Sequence, residues 1–397
     1  MFKRLATALL ALTIGCTTPM DGGYREARLR PPDEDHPVDV NTDYTLALSE
    51  ELGHLEEGFT AGDRYALVRP GKAVAMLWLH GAISYWSHEM GHAYNTPAKD
   101  ERGWKMESGW NSADLPEVVF KQGTTTLENQ FYSLAAGLNQ NENNSQELWK
   151  RTDKITLDRA LAFLAFKLDD STYNIRNTFE EDGESFRMKY FNRKPGKNEY
   201  LYAPSIPGET TWNDLRQISR VYEFWGIPGG REKELERRAR IADLATARTW
   251  ESLWVVGKYL ATGQRSSQPL VFDFDGHSLS PPIVSSYFTT RGVFYNGSVK
   301  VDEHTVSVGR NVDSPDWSIG VGLGERQVGC FSVSPFVAFN RVGGENGFTL
   351  GSDIGFELGD NASLVLNVQR SKNDILENDV KIVGNGTDVQ VGLRIKW

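Results

Sequence analysis

From about residue 263 onward, apolar residues fall on every second position. Trp317, Ile319, Val321 and Leu323 alternate with Ser and Gly, and Phe331, Val333, Val337 and Phe339 repeat the pattern. Phe348, Leu350, Ile354, Phe356 and Leu358 continue it, followed by Leu364, Leu366 and Val368. The last such segment runs Val389, Val391, Leu393, Ile395, Trp397, interleaved with Gln390, Gly392, Arg394 and Lys396. A period of two sends successive side chains to opposite faces of an extended chain, so each segment has one apolar and one Gly-rich or polar face. With Gly/Asn/Asp turns between them, these segments predict about eight antiparallel strands between residues 268 and 397.

Before that boundary the period is helical. The stretch VAMLWLHGAISYWSHEMGHAYN, residues 74 to 95, contains His88-Glu89-Met90-Gly91-His92, an HExxH pentapeptide. At 100° per residue His88 and His92 stand only about 40° apart, one turn above the other. That spacing lets two imidazoles grip one Zn²⁺ while the intervening Glu reaches a metal-bound water. Gly81, Ser84, Tyr85 and Asn95 fall on the same side, and Leu79, Ile83, Trp86, Met90 and Ala93 fall opposite. The split predicts a helix packed into a core by its apolar side, presenting the two histidines to a cavity on the other. A helix whose histidines merely bond to neighbours is the alternative, and it is costly, because two stacked imidazoles and a Glu would be buried without a partner.

The five residues resemble the active-site helix of zincin metallopeptidases. The resemblance implies zinc-dependent hydrolysis, with His88 and His92 as metal ligands and Glu89 as general base. In the gluzincin branch the third ligand is a Glu on a second, downstream helix. A helix is expected over 123–141, with Leu127, Phe131, Leu134 and Leu138 as its buried stripe. Glu128, 36 residues after His92, lies beside that stripe and is the candidate third ligand. It could equally be a first-turn carboxylate that complements the helix dipole. The E-x-x-x-D continuation of thermolysin-type enzymes is absent, and Ala98 stands where the metzincin pattern has its third His. Tyr85, Tyr132 and His80 are available as oxyanion stabilisers, with none assigned.

The alternating last third resembles a bacterial outer-membrane β-barrel, whose final strand ends on an aromatic residue as this one does at Trp397. A soluble periplasmic β-sandwich alternates in the same way and is the competing architecture. At the other end, Met1-Phe2-Lys3-Arg4 followed by the apolar run Leu5 to Gly15 reads as a secretory signal. Thr13-Ile14-Gly15-Cys16 resembles a lipobox, which implies lipid attachment at Cys16. Residues 17 to 49, rich in Pro, Gly and charge, read as a flexible tether. With only Cys16 and Cys330 in the chain, neither a disulfide framework nor a cysteine zinc site is expected. The net charge of −10 and the lack of a long basic run argue against a nucleic-acid partner.

The expectation is therefore an α+β chain: residues 1–16 signal, 17–49 tether, 50–262 a helical zincin-like domain, and 263–397 an all-antiparallel β-barrel. Further helices are expected at 153–168, 213–225 and 231–262, and loops at 98–122 and 170–212. The implied partners are a peptide or protein substrate and outer-membrane lipid, with the catalytic domain facing the periplasm. From another class, the chain would be a non-catalytic outer-membrane protein whose helical domain binds a partner.

Overall fold

The computed structural model describes residues 26–29, 37–57, 60–94, 105–107, 117–119, 127–151, 154–168, 214–359, 362–376, 380–381 and 385–396. The expected signal segment, Cys16, Ala98, Trp397 and the loop 170–212 lie outside the described residues. Seven helices are described: α1 (Pro37–Glu57), α2 (Val68–Tyr94), α3 (Leu127–Arg151), α4 (Leu157–Lys167), α5 (Asp214–Trp225), α6 (Glu232–Ala245) and α7 (Ala247–Thr262). The strands are β1 (Glu26–Leu29), β2 (Lys105–Glu107), β3 (Glu117–Val119), β4 (Ile155–Thr156), β5 (Ser266–Ser267), β6 (Phe272–Phe274), β7 (His277–Leu279) and β8 (Ile283–Thr289). They continue with β9 (Gly292–Val301), β10 (His304–Asn311), β11 (Trp317–Gly322), β12 (Arg326–Val328), β13 (Phe331–Val342), β14 (Glu345–Gly359), β15 (Ala362–Lys372) and β16 (Gly386–Lys396). The class is α+β.

The main sheet is an antiparallel ladder in the order β1-β16-β15-β14-β13-β11-β10-β9-β7-β6, with β8 also on β9 and β12 on β13. Eight long strands, β8 to β11 and β13 to β16, make up most of it, but its ends do not pair with each other. Side chains from helices occupy the free edge of β8 instead. Asn139 of α3 donates to the Phe288 carbonyl and accepts from its N–H, both at 2.9 Å. Thr246, between α6 and α7, does the same for Val284, also at 2.9 Å. At the other end α1 packs on β1 and also on α3, so helices span the gap that strands would fill in a closed barrel. A shared core joins the two parts, with Phe131, Leu134, Ile218 and Tyr222 packed against Phe288 and Val293.

Two boundaries differ from the sequence expectation. Residues assigned to a tether form β1 and the first half of α1. Helix α1 starts with Pro37 at its first position and Asp39 in its first turn, both suited to a helix start. Its buried residues include Asn41, Thr42, Thr45 and Ser49 beside Val38, Leu46 and Ala47, so polar positions interrupt the apolar ones. The single helix expected over 231–262 breaks at Thr246, whose backbone is extended.

Polarity is inverted across the sheet. Asn296, Ser318, Asn340, Thr349, Gln369 and Gln390 are buried on its inner face, whereas Val308, Ile319, Phe339, Leu350, Val389 and Val391 are exposed on the outer. Between the inner face and helices α1 and α3 lies a polar cavity of about 670 Å³, lined among others by Asp39, Asp43, Asn143, Gln146, Asn296, Asp353 and Gln369. The inner surface must therefore be held by hydrogen bonds. Asn139→Leu leaves two buried backbone groups of Phe288 unpaired and should cost about 2–4 kcal/mol of unfolding free energy, measured by denaturant titration.

Candidate metal centre

Helix α2 places His88 and His92 one turn apart, with ring centroids 4.7 Å from each other and planes at 78°. Both rings are buried and both Nε2 atoms converge on one carboxylate oxygen. Asp214 Oδ2 lies 2.9 Å from His88 Nε2 and 3.3 Å from His92 Nε2. One ligand atom from each of the three residues falls within 4.8 Å of the others, the one such cluster of three or more among the described residues. Asp214 is the first residue of α5, where the unpaired N–H groups and the helix dipole favour an anion.

Glycine makes room for this cluster. A Cβ built on Gly137 of α3 would lie 2.6 Å from His88 Nε2 and 2.6 Å from His92 Nε2. On the facing helix, a Cβ on Gly91 would meet the Ala136 carbonyl oxygen at 2.8 Å and Gly137 Cα at 3.1 Å. The two glycines let α2 and α3 approach closely and leave open the space in front of both nitrogens. Alongside, the backbone of α2 is pinned by polar contacts: Asn41 donates to the Ser87 carbonyl at 2.9 Å, and Asn144 to the Ser87 hydroxyl at 2.8 Å.

Asp214 and His92 hold each other in charged form. Burial pushes the Asp214 carboxyl up, but the charge of His92 and hydrogen bonds from both imidazoles outweigh it and hold it well below the usual range. Burial pulls His92 down, and the Asp214 charge and hydrogen bond reverse this, leaving it above the ordinary imidazole value. Glu89 is pushed up, chiefly by burial, and is hydrogen-bonded to Tyr85.

The outcome for the expected site residues is uneven. His88 and His92 converge, with Glu89 between them. Glu128 does not join them: it is exposed in the first turn of α3, where it accepts a 3.3 Å hydrogen bond from Tyr132. The acidic donor that does join is Asp214, 126 residues from His88 along the chain. In the sequence it reads as an ordinary acidic helix start, and nothing sets it apart from other first-turn carboxylates. The histidine face of α2 is also not turned toward an open cleft. It is the inward face, with His80, Ser84, Ser87 and His88 buried, while Leu79, expected in the core, is exposed. Of the other candidates, Tyr85 bonds to Glu89 and His80 sits 3.0 Å from the Ser49 hydroxyl. Compared with family models, curated proteins and solved structures, the chain matches none.

Two outcomes follow from this geometry. Gly137→Ala fills the space before both imidazoles and should weaken zinc binding by about 100-fold, as read by chelator competition. His92 carries a proton up to a higher pH than a free imidazole, so a metal must displace it. Zinc affinity should therefore rise with pH through the neutral range and level off once His92 is neutral, with proton release visible by calorimetry in two buffers.

Proposed function

We propose that the chain is a zinc-dependent hydrolase, with peptides or proteins as its substrates, working at a bacterial outer membrane. The observation that carries this reading is the convergence of His88, His92 and Asp214 beside Glu89.

The residues fit zinc on three counts. Two imidazole nitrogens and one carboxylate oxygen are the donor types that zinc takes in catalytic sites with three protein ligands. Around a tetrahedral ion with donors at about 2.0–2.1 Å, neighbouring donors stand about 3.3 Å apart. The observed 2.9 and 3.3 Å lie close to that edge. Gly137 leaves free the space in front of both nitrogens that a Cβ would fill. His88, His92 and Asp214 would hold the ion, so Asp214 takes the place expected for Glu128. A zinc ion held there supplies Lewis acidity, polarising a carbonyl and lowering the pKa of a coordinated water toward about 7.

The chain's own groups do the rest. Glu89 is next to His88 on the same helix and accepts a proton at its carboxylate, then donates it to the leaving nitrogen. The hydrogen bond from Tyr85 orients that carboxylate. Buried surroundings strengthen each of these contacts by excluding water.

Membrane placement is supported by the sheet. Its outer face is apolar and exposed and its inner face polar and buried, as in barrels that contact lipid outside and enclose a polar interior. The resemblance of the last third to outer-membrane strands points the same way.

Four variants test the reading. His88→Ala and Asp214→Ala should abolish stoichiometric zinc, while Glu128→Gln keeps it. Glu89→Gln should keep zinc and lose about 10²–10⁴-fold in turnover on a casein or peptide-library substrate. A Glu89→Gln protein as active as wild type would end the hydrolase reading, and a chain without zinc at any pH would end the metal one.

A further inference from the structure

The inversion of polarity does not stop at the sheet. Every exposed residue of α2 and its lead-in between Tyr65 and Leu79 is uncharged, and Val74, Leu77 and Trp78 stand out among them. The same holds from Ile241 to Thr262, where Leu244, Trp250, Leu253 and Trp254 are exposed. Lys258 apart, which is partly exposed, the charged residues in these stretches turn inward. Arg69 donates to the backbone carbonyls of Asp63 at 2.6 Å and Ala261 at 2.8 Å. Lys72 pairs with Glu56 at 2.6 Å and Asp63 at 2.9 Å, and the buried Arg248 with Glu251 at 3.2 Å. Deeper still, Lys167 lies 2.6 Å from Glu142 with both fully enclosed.

An aqueous surface reverses this arrangement, because long charged side chains gain hydration by pointing out. A protein-binding patch would carry a polar rim around a smaller apolar centre. We infer that this helical surface, formed by α2, α7 and the end of α6, is covered by the hydrocarbon of a lipid bilayer, as the outer face of the sheet is. The inference rests on the membrane placement proposed for the sheet and extends it to the metal-bearing half.

No helix among the described residues is long and apolar enough to cross a membrane. Helix α2 does not need to be, because His80, Ser84 and Ser87 on its inner side are covered by protein. One apolar stripe suffices, as on a barrel strand. From Val68 to Trp86 the helix rises about 28 Å, close to the ~30 Å thickness of bilayer hydrocarbon. His88 and His92 follow directly after, which sets the metal centre at the edge of the hydrocarbon, at headgroup level, rather than out in the periplasm.

Site-directed spin labelling of the full chain tests this in phosphatidylethanolamine/phosphatidylglycerol vesicles. Labels go at Leu77→Cys and Leu253→Cys, with Val74→Cys and Trp254→Cys as replacements should either fail to fold, in a background with Cys16 and Cys330 changed to Ser. Leu350→Cys on the sheet and Arg237→Cys on the charged part of α6 serve as references. The expected result is collision with oxygen well above that with a water-soluble nickel chelate at Leu77 and Leu253, and the opposite at Arg237. Nickel accessibility like that of Arg237 would overturn the inference in favour of an aqueous surface. Exclusion of both reagents would overturn it in favour of a protein partner or a second copy. Leu350 alone reports on the sheet, so lipid contact there without contact at Leu77 rejects this inference and leaves the sheet's placement standing. None of these readings requires zinc or turnover, so they are independent of whether the hydrolase proposal holds.

Discussion

Much of the interior of this protein is polar beside its apolar clusters, and buried polar groups are stable only where they are paired. Burying an unpaired amide or hydroxyl costs on the order of 1–3 kcal/mol, and an unpaired charge more. Much of the architecture meets that requirement. Gln140 reaches Thr42 at 2.8 Å and Asn144 at 3.0 Å, Asn141 reaches Ser84 at 3.0 Å, and Thr45 reaches Ser87 at 3.0 Å. These contacts tie α1, α2 and α3 to one another in a fixed register. Hydrogen bonds are directional, so the bundle gains a definite arrangement where an apolar core of equal size would tolerate sliding.

The candidate metal centre inherits its geometry from that register. Ser87 is next to His88 and is held by groups from α1 and α3, so the imidazole of His88 starts from a backbone that cannot rotate freely. Gly91 and Gly137 then bring α3 close enough to roof both rings. The remaining donor comes from far along the chain, and Asp214 reaches the site only when α5 docks. Leu215, Ile218, Val221 and Tyr222 perform that docking by packing against Phe131 and Leu134 of α3. Site assembly is thereby coupled to formation of the core that joins the helices to the sheet, and a bound ion would stabilise that same docking.

What the sequence disclosed follows from the same polarity. The period-two strands were legible because their outer faces are continuous runs of Val, Ile, Leu and Phe, whichever solvent they meet. The pairing of His88 and His92 was legible because helical spacing alone brings i and i+4 together. The first half of helix α1 was hidden, since it buries Asn41, Thr42, Thr45 and Ser49 among its few apolar residues. On α2, Met90 is buried as its apolar side predicts, but the histidine side is buried as well and Leu79 is exposed, because an amphipathic pattern names two faces and leaves open what covers each. Asp214 was hidden differently. A lone acid at a helix start has a local explanation, and only tertiary structure shows that two imidazoles stand 2.9 and 3.3 Å away.

The open ladder of strands is intelligible on these terms as well. A free edge in a sheet exposes unpaired N–H and C=O groups, which attract unwanted pairing. Strand closure is one remedy. Here the edge strand β8 has its outward groups matched individually, Phe288 by Asn139 and Val284 by Thr246, and the buried Tyr222 adds a hydrogen bond to the Thr289 carbonyl at 2.7 Å. Asn139 and Tyr222 belong to α3 and α5, which also carry Gly137 and Asp214, so covering this edge and building the site share those two helices. Helices that replace strands in this way can carry a deep, two-imidazole site on a rigid i, i+4 spacing.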